Sequence, residues 1–206
     1  MIIGICGFIG SGKDTVADYL VNVHEFRRES FAGTLKDAVA AVFGWDRTML
    51  EGRTKASREW REQVDPWWAA RLNMPQLTPR WVLQYWGTEV CRHGFHDDIW
   101  IASVENKLRQ INDNVVISDV RFPNELDAIK NSGGIMLRTQ RGPIPEWFQS
   151  ALSDNTNGSA FMKEKYPEVH FSEWALVGRE IDIPLNNHGT MDELYRQVDY
   201  VVKNRD

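Results

Sequence analysis

The chain of 206 residues carries 24 Lys and Arg against 29 Asp and Glu, a formal net charge of −5, and 42% of its residues are hydrophobic. Nine Trp and nine Phe are too much apolar surface to leave solvated, which excludes intrinsic disorder, and the length suffices for a sizeable core. The mild acidity argues against a dedicated duplex-DNA binder, and no apolar run reaches the roughly 20 residues of a spanning helix. Cys6 and Cys91 alone build neither a disulfide framework nor a four-thiolate zinc site, and two thiols so far apart suit a reducing compartment.

Residues 2–6 form an apolar, β-branched run ending at Gly7, the pattern of a strand buried on both faces rather than of a signal peptide. Residues 13–24 follow with helical spacing, Val16, Leu20 and Val23 on one side. An extended piece at 26–31 leads to a helix over 34–43, with Leu35, Ala38, Val39 and Val42 inward and Gly44 as its stop. Residues 45–79 mix arginines, tryptophans and prolines, and suggest helical pieces near 56–63 and 67–72. A helix is expected from Pro79 to about Arg92, and another after Asp97. Strands are expected at 114–118, 135–139 and 181–185, and helices at 122–131 and 190–202, the last with Met191, Leu194, Val198 and Val201 inward. Residues 140–178 show weak periodicity and read as a long loop or lid. Alternating strands and helices predict one α/β domain over residues 1–206, a parallel sheet flanked by helices, with insertions near 45–79 and 140–178.

The turn after the first strand, Gly7-Phe8-Ile9-Gly10-Ser11-Gly12-Lys13, fits G-x-x-x-x-G-K, for which this composition gives roughly 0.04 chance matches. A buried strand precedes it and an amphipathic helix follows. Glycines let the backbone curl until several N–H groups face one anion, and the helix N-terminus adds partial positive charge. Lys13 can then reach the β- and γ-phosphates of a nucleotide. Where a Ser or Thr usually ligates Mg²⁺, this chain has Asp14 and then Thr15. Asp14 is either a carboxylate for Mg²⁺ or an acid stabilising a first helical turn. Thr15 either bonds an α-phosphate or simply starts the helix.

Asp119 ends a predicted strand, where ligands collect in parallel sheets; it suits Mg²⁺ or a helix N-cap. Arg121 is either a phosphate clamp or a solvated arginine. Two phosphate chains meeting for transfer need several cations besides Lys13, and Lys36, Arg80 and Arg121 are the preferred set, with Arg138 and Arg141 also available. Trp86 and Trp100 could stack on a base, although core packing is the commoner fate of an aromatic. Cys91, His93, His96 and Asp97 lack the ligand set of a zinc site.

The ordered set of GSGKDT (10–15), SFAGTLKDA (30–38), Pro79-Arg80, QYWGTE (84–89), SDVRFPNE (118–125), HFSE (170–173) and Asn187-His188-Gly189 resembles the bacteriophage deoxynucleoside monophosphate kinases. Dephospho-coenzyme A kinases and animal phosphomevalonate kinases share part of the loop but not the later motifs. The resemblance implies a P-loop fold and transfer of the ATP γ-phosphoryl group to a deoxynucleoside monophosphate, with Mg²⁺. It implies small-molecule substrates, no membrane and no stable nucleic-acid partner, leaves a homodimer open, and implies the cytoplasm of an infected host if the chain is phage-encoded. Residue by residue, it places Gly10, Ser11, Gly12, Lys13, Asp14 and Thr15 at the ATP phosphates and Asn187 near adenine. Lys36, Arg80, Gln84, Thr88 and Glu89 fall on the acceptor side, together with Arg121, Glu125 and Glu173; Asp14 and Asp119 would organise Mg²⁺. Two other readings remain open: another small-molecule kinase, or a nucleotide-binding NTPase module.

Overall fold

The computed structural model describes residues 1–204. In chain order it contains β1 (Ile2–Cys6), α1 (Lys13–His24), β2 (Arg27–Glu29), α2 (Gly33–Phe43), α3 (Arg47–Glu51), α4 (Lys55–Arg61), α5 (Pro66–Leu72) and α6 (Pro79–Tyr85). A π-helix over Trp86–His93 follows, then α7 (Ile99–Leu108), β3 (Val115–Ile117), α8 (Pro123–Asn131), β4 (Ile135–Gln140), α9 (Phe148–Asn157), α10 (Phe161–Lys165), α11 (Phe171–Trp174), β5 (Ile183–Asn186) and α12 (Met191–Lys203). No helix among the described residues is long and apolar enough to cross a membrane.

Among the described residues, 1–30 and 107–204 form one compact unit, and 31–106 a second. The first unit holds the sheet, ordered β2-β3-β1-β4-β5 with every neighbouring pair parallel. This is the expected α/β P-loop architecture. The chain leaves β1 to one side for β2 and β3 and to the other for β4 and β5. The carboxyl end of β1 is therefore the place where ligands collect in such sheets.

Strand alternation places the layers. Ile3 and Ile5 enter a core built with Val16, Ala17 and Leu20 of α1 and Leu194, Val198, Val201 and Val202 of α12. Gly4, between them, faces Ile129 of α8 and Met136. Helices α1 and α12 thus cover one face of the apolar strands and α8 the other.

The second unit packs around Leu35, Val39, Trp45, Leu50, Leu77, Val82 and Trp100. Trp45 and Trp68 pack into this core and satisfy their N–H groups. Trp45 Nε1 donates to Asp65 at 2.8 Å and Trp68 Nε1 to the Phe43 carbonyl at 3.0 Å. Short helices start on strong caps: Asp46 accepts from Thr48 and Met49 N–H, Asp65 from Trp67 and Trp68 N–H ahead of Pro66, and Thr78 from Trp81 N–H ahead of Pro79.

Several expectations are corrected. Residues 140–178 are not a structureless loop. They fold as α9, α10 and α11 around Ala151, Met162 and Val177, with Trp147, Phe148 and Trp174 packed on them. Helices α10 and α11, of 5 and 4 residues, are too short to show a period in sequence, and α9 buries only Ala151, so it has no apolar stripe to read. Their order comes from local bonds: Asp154 accepts from Phe161 and Met162 N–H, and Asn155 Nδ2 donates to the Trp174 and Val177 carbonyls. The helix expected over 79–92 turns π after Tyr85. Ala38 and Val42 of α2 and Met191 of α12 are exposed, because only the Leu35–Val39 and Leu194–Val198 stripes meet a neighbour. The α3 helix was not expected at all.

The register of α12 is testable. Leu194→Ala removes a fully buried side chain and is expected to cost about 2–5 kcal/mol in urea unfolding. Met191→Ala, at 44% exposure, should stay within about 0.5 kcal/mol.

Candidate active site

Beyond Cys6 the backbone turns through Gly10 and Gly12, both at positive φ, into the first turn of α1. Gly12 sits at φ 102, and a Cβ there would run into the Asn187 side-chain amide. Glycine is therefore required both for conformation and for space. The loop is braced from behind. Asn187 Nδ2 donates to the Ser11 carbonyl at 2.8 Å, and its own N–H donates to the Gln140 carbonyl at 2.8 Å. Ser11 Oγ and Thr139 Oγ1 share a bond of 2.7 Å, and Thr139 Oγ1 donates on to the Cys6 carbonyl at 3.3 Å. The Phe8 ring packs edge-on against Trp147 at 5.2 Å, tying the loop to the helical segment after β4.

Two expectations change here. Asn187 is only 6% exposed and holds the loop, so its amide is not turned outward toward a base. Ser11, at 1% exposure, spends its hydroxyl on Thr139, so only its backbone is left for a ligand. Neither brace could be read in the sequence, because the partners lie more than 120 residues apart.

Around the loop stand the charged groups. Lys13 Nζ donates to the Gly7 and Phe8 carbonyls at 2.6 and 3.0 Å. Burial, and then the nearby Arg121 guanidinium, hold its pKa below the ordinary lysine value, against Glu173 and Asp14. Lys13, Arg121, Glu173 and Asp14 therefore share one electrostatic neighbourhood. Arg121 Nη1 donates to Glu173 at 2.5 Å and reaches Ser172 Oγ at 3.5 Å. Asp14 keeps its side chain 83% exposed, accepts from Ser118 Oγ at 3.1 Å, and lies 3.6 Å from Arg28 Nη2. Ser118 and Arg28 lie 104 and 14 residues from Asp14 along the chain, so no local pattern in the sequence marks them as its neighbours. Asp119 follows Ser118 past the end of β3. Thr15 is half-buried in the first turn of α1.

Glu125 is corrected from a ligand-facing acid to a buried one. At 3% exposure its carboxylate accepts the Arg121 and Phe122 N–H groups, at 2.8 and 3.1 Å, and so fixes the backbone that carries Arg121. Arg138 is spent on the Leu176 carbonyl at 2.9 Å.

The expectation of Mg²⁺ can be set against the donors present. Among the described residues no three His, Cys, Asp or Glu converge on a metal position. Mg²⁺ needs no such cage: one or two carboxylates with substrate phosphates and water are its usual set. An exposed Asp14 carboxylate at the phosphate loop, with Asp119 in the same unit, fits that set.

The second unit carries the remaining candidates. Lys36 Nζ donates to Glu51 at 2.7 Å, Arg47 pairs with the same carboxylate, and Arg80 pairs with Glu62. Gln84, Thr88 and Glu89 are exposed, the last two on the π-helix, a form often found at functional sites. Trp86 is half-buried beside Phe43, ring centroids 5.4 Å apart. Of the two roles open to Trp100, base stacking and core packing, the structure shows packing: at 8% exposure it donates Nε1–H to the Gly87 carbonyl at 2.9 Å.

Burial resists ionisation of Glu51, but hydrogen bonds and charge from Lys36 and then Arg47 outweigh it and lower its pKa to about 2 from 4.5. Its folded pKa lies below the unfolded value. The stability it adds is therefore complete above about pH 4.5 and is lost as pH falls toward 2. Glu51→Gln should flatten the decline of urea midpoints between pH 5 and pH 3. An unchanged slope would remove this carboxylate from the account.

No protein-family model matches the chain. A protein of Acanthamoeba polyphaga mimivirus, provisionally named a deoxynucleotide monophosphate kinase, is 32% identical over 216 residues, covering 99% of this chain and 97% of its own. The deoxynucleoside-5'-monophosphate kinase of Escherichia phage T5 is 28% identical over 181 residues, 64% of this chain and 72% of the phage protein. Among solved structures, TT1252 from Thermus thermophilus gives a TM-score of 0.49 at 18% identity, covering 100% of this chain and 98% of that one. Shikimate kinase from Aquifex aeolicus gives 0.47 at 14%, covering 99% and 97%. Similarity at 32% along nearly the whole of both sequences, on a chain with a phosphate loop at the end of its central strand, decides the matter: the chain belongs to the deoxynucleoside monophosphate kinase family.

Proposed function

We propose that this chain transfers the γ-phosphoryl group of ATP to a deoxynucleoside 5′-monophosphate, giving ADP and a deoxynucleoside diphosphate. The observation that carries the reading is the braced loop: α1 starts at Gly12 with no side-chain cap, so its first-turn N–H groups remain for an anion beside Lys13. In the free protein the Lys13 ammonium rests on two neutral carbonyls. A polyphosphate offers it charge-assisted bonds that are roughly twice as strong.

In this reading Gly10, Ser11 and Gly12 contribute backbone, and Lys13 and Thr15 side chains, to the donor phosphates. Asp14 and Asp119 hold Mg²⁺, and Ser118 orients the Asp14 carboxylate. The ion, when bound, shields the charge between phosphate oxygens. Arg121 leaves its pairing with Glu173 to meet the transferred group, while Glu125 keeps its backbone in place. Lys36 and Arg80 serve the acceptor phosphate, and Gln84, Trp86, Thr88 and Glu89 its nucleoside. The acceptor phosphate is already an anionic nucleophile, so no general base and no covalent intermediate are needed; alignment and charge stabilisation do the catalysis. The helices after β4 keep water from the donor, because hydrolysis of ATP is the competing reaction.

The test is a panel of deoxynucleoside and ribonucleoside monophosphates with Mg-ATP, read as nucleoside diphosphate formed. At least one deoxynucleotide should be converted. Turnover of coenzyme A precursors alone, or ATP hydrolysis indifferent to every monophosphate, would refute the proposal. Lys13→Ala should fold normally by circular dichroism yet lose at least about 100-fold in turnover.

A further inference from the structure

Arg61, the last residue of α4, lacks the partners that a half-buried guanidinium needs. Among the described residues its buried Nε has no hydrogen-bond partner, and Nη1 donates to the Leu50 carbonyl at 3.4 Å. The group is pressed against the backbone at Gly52, where a Cβ would collide with it and where φ is 68. Burial, and then the charge of Arg80, lower its pKa from the ordinary arginine value, against Glu62 and Glu51. Arginine nevertheless stays charged in proteins.

The carboxylates in reach are already engaged. Glu62 is paired with Arg80, Glu51 with Lys36 and Arg47, and Asp37 with Arg47. The charges that act on Arg61 are Arg80 and Arg58 against Glu62 and Glu51, and both of these acids are among those already paired. A phosphate monoester carries close to two negative charges above its second pKa of about 6. A buried cation without a counter-charge weakens the free fold. Its presence is explained if a ligand completes the set.

We propose that Arg61, next to Arg80, is the residue that grips the phosphate monoester of the acceptor nucleotide. This rests on the phosphotransfer reading above and names the residue that selects a 5′-monophosphate over a nucleoside. The Nε edge of a guanidinium is half of the planar fork that matches two phosphate oxygens. Arg80 brings the second fork once Glu62 yields it.

The experiment compares wild type with Arg61→Met and Arg61→Lys. Calorimetric titrations use each common deoxynucleoside monophosphate, the matching deoxynucleoside, and Mg-ATP, alongside thermal melting without ligand. Arg61→Met should weaken monophosphate binding between about tenfold and a hundredfold, leave Mg-ATP binding unchanged, and melt no lower than wild type. Arg61→Lys should fall between the two, because it keeps the charge and loses the fork. Wild-type affinity for the monophosphate should decline as pH drops below about 6. Unchanged monophosphate affinity in Arg61→Met, an equal loss for Mg-ATP, or a variant that melts lower or fails to fold would each overturn the proposal; the last would make the guanidinium a structural support. If wild type converts no nucleotide, inorganic phosphate decides separately. Arg61-dependent broadening of its phosphorus resonance would keep the anion site while the acceptor reading falls, and no such broadening would end both.

Discussion

Everything in this molecule depends on a short stretch of backbone being held in a shape it would not keep alone. Three positive-φ glycines, Gly7, Gly10 and Gly12, lie within six residues and leave the turn after β1 with high conformational entropy in isolation. Asn187 and Thr139 remove that freedom from behind by bonding the Ser11 carbonyl and hydroxyl. These braces stand at the ends of β4 and β5, so the parallel sheet is what makes the phosphate cradle rigid. Stabilisation of charge at a transition state works only if the donors are already in place. Fold and chemistry are joined at this point.

The charges around the cradle are arranged on the same principle. Arg121 is held by Glu173, and its backbone by the buried Glu125 carboxylate. Asp14 is held by Ser118 and faces Arg28. The Glu173 carboxylate is a partner whose place on Arg121 a phosphate can take. The second unit is different. There Lys36, Arg47 and Arg80 are matched to acids, but Arg61 is not. A matched pair waits in a stable arrangement, whereas an unmatched one costs the free protein something that only a ligand returns.

Much of this was legible in the sequence, and the limits follow from distance along the chain. The loop and its flanking strand and helix are contiguous, so residue type and spacing identified them. Strands β1, β3 and β4 announced themselves as apolar β-branched runs. The helices after β4 did not, because α10 and α11 have five and four residues and α9 buries only Ala151. Asn187 was noticed for its place after the last strand, but its bond to Ser11 spans 176 residues and has no local signal. Residue type marks Glu125 and Trp100 as notable, but only their burial shows what they touch. Arg61 sits in a stretch crowded with arginines, and nothing but its missing partners sets it apart.

The central claim is that the braced turn wraps a polyphosphate. Titration of the protein with a non-hydrolysable Mg-ATP analogue measures this most directly, with Asn187→Ala in parallel. Wild type should bind within the usual range of about 1 μM to 1 mM, and Asn187→Ala should bind at least several-fold more weakly while keeping its sheet. Failure of wild type to bind at all, or equal binding by the two proteins, would contradict the account.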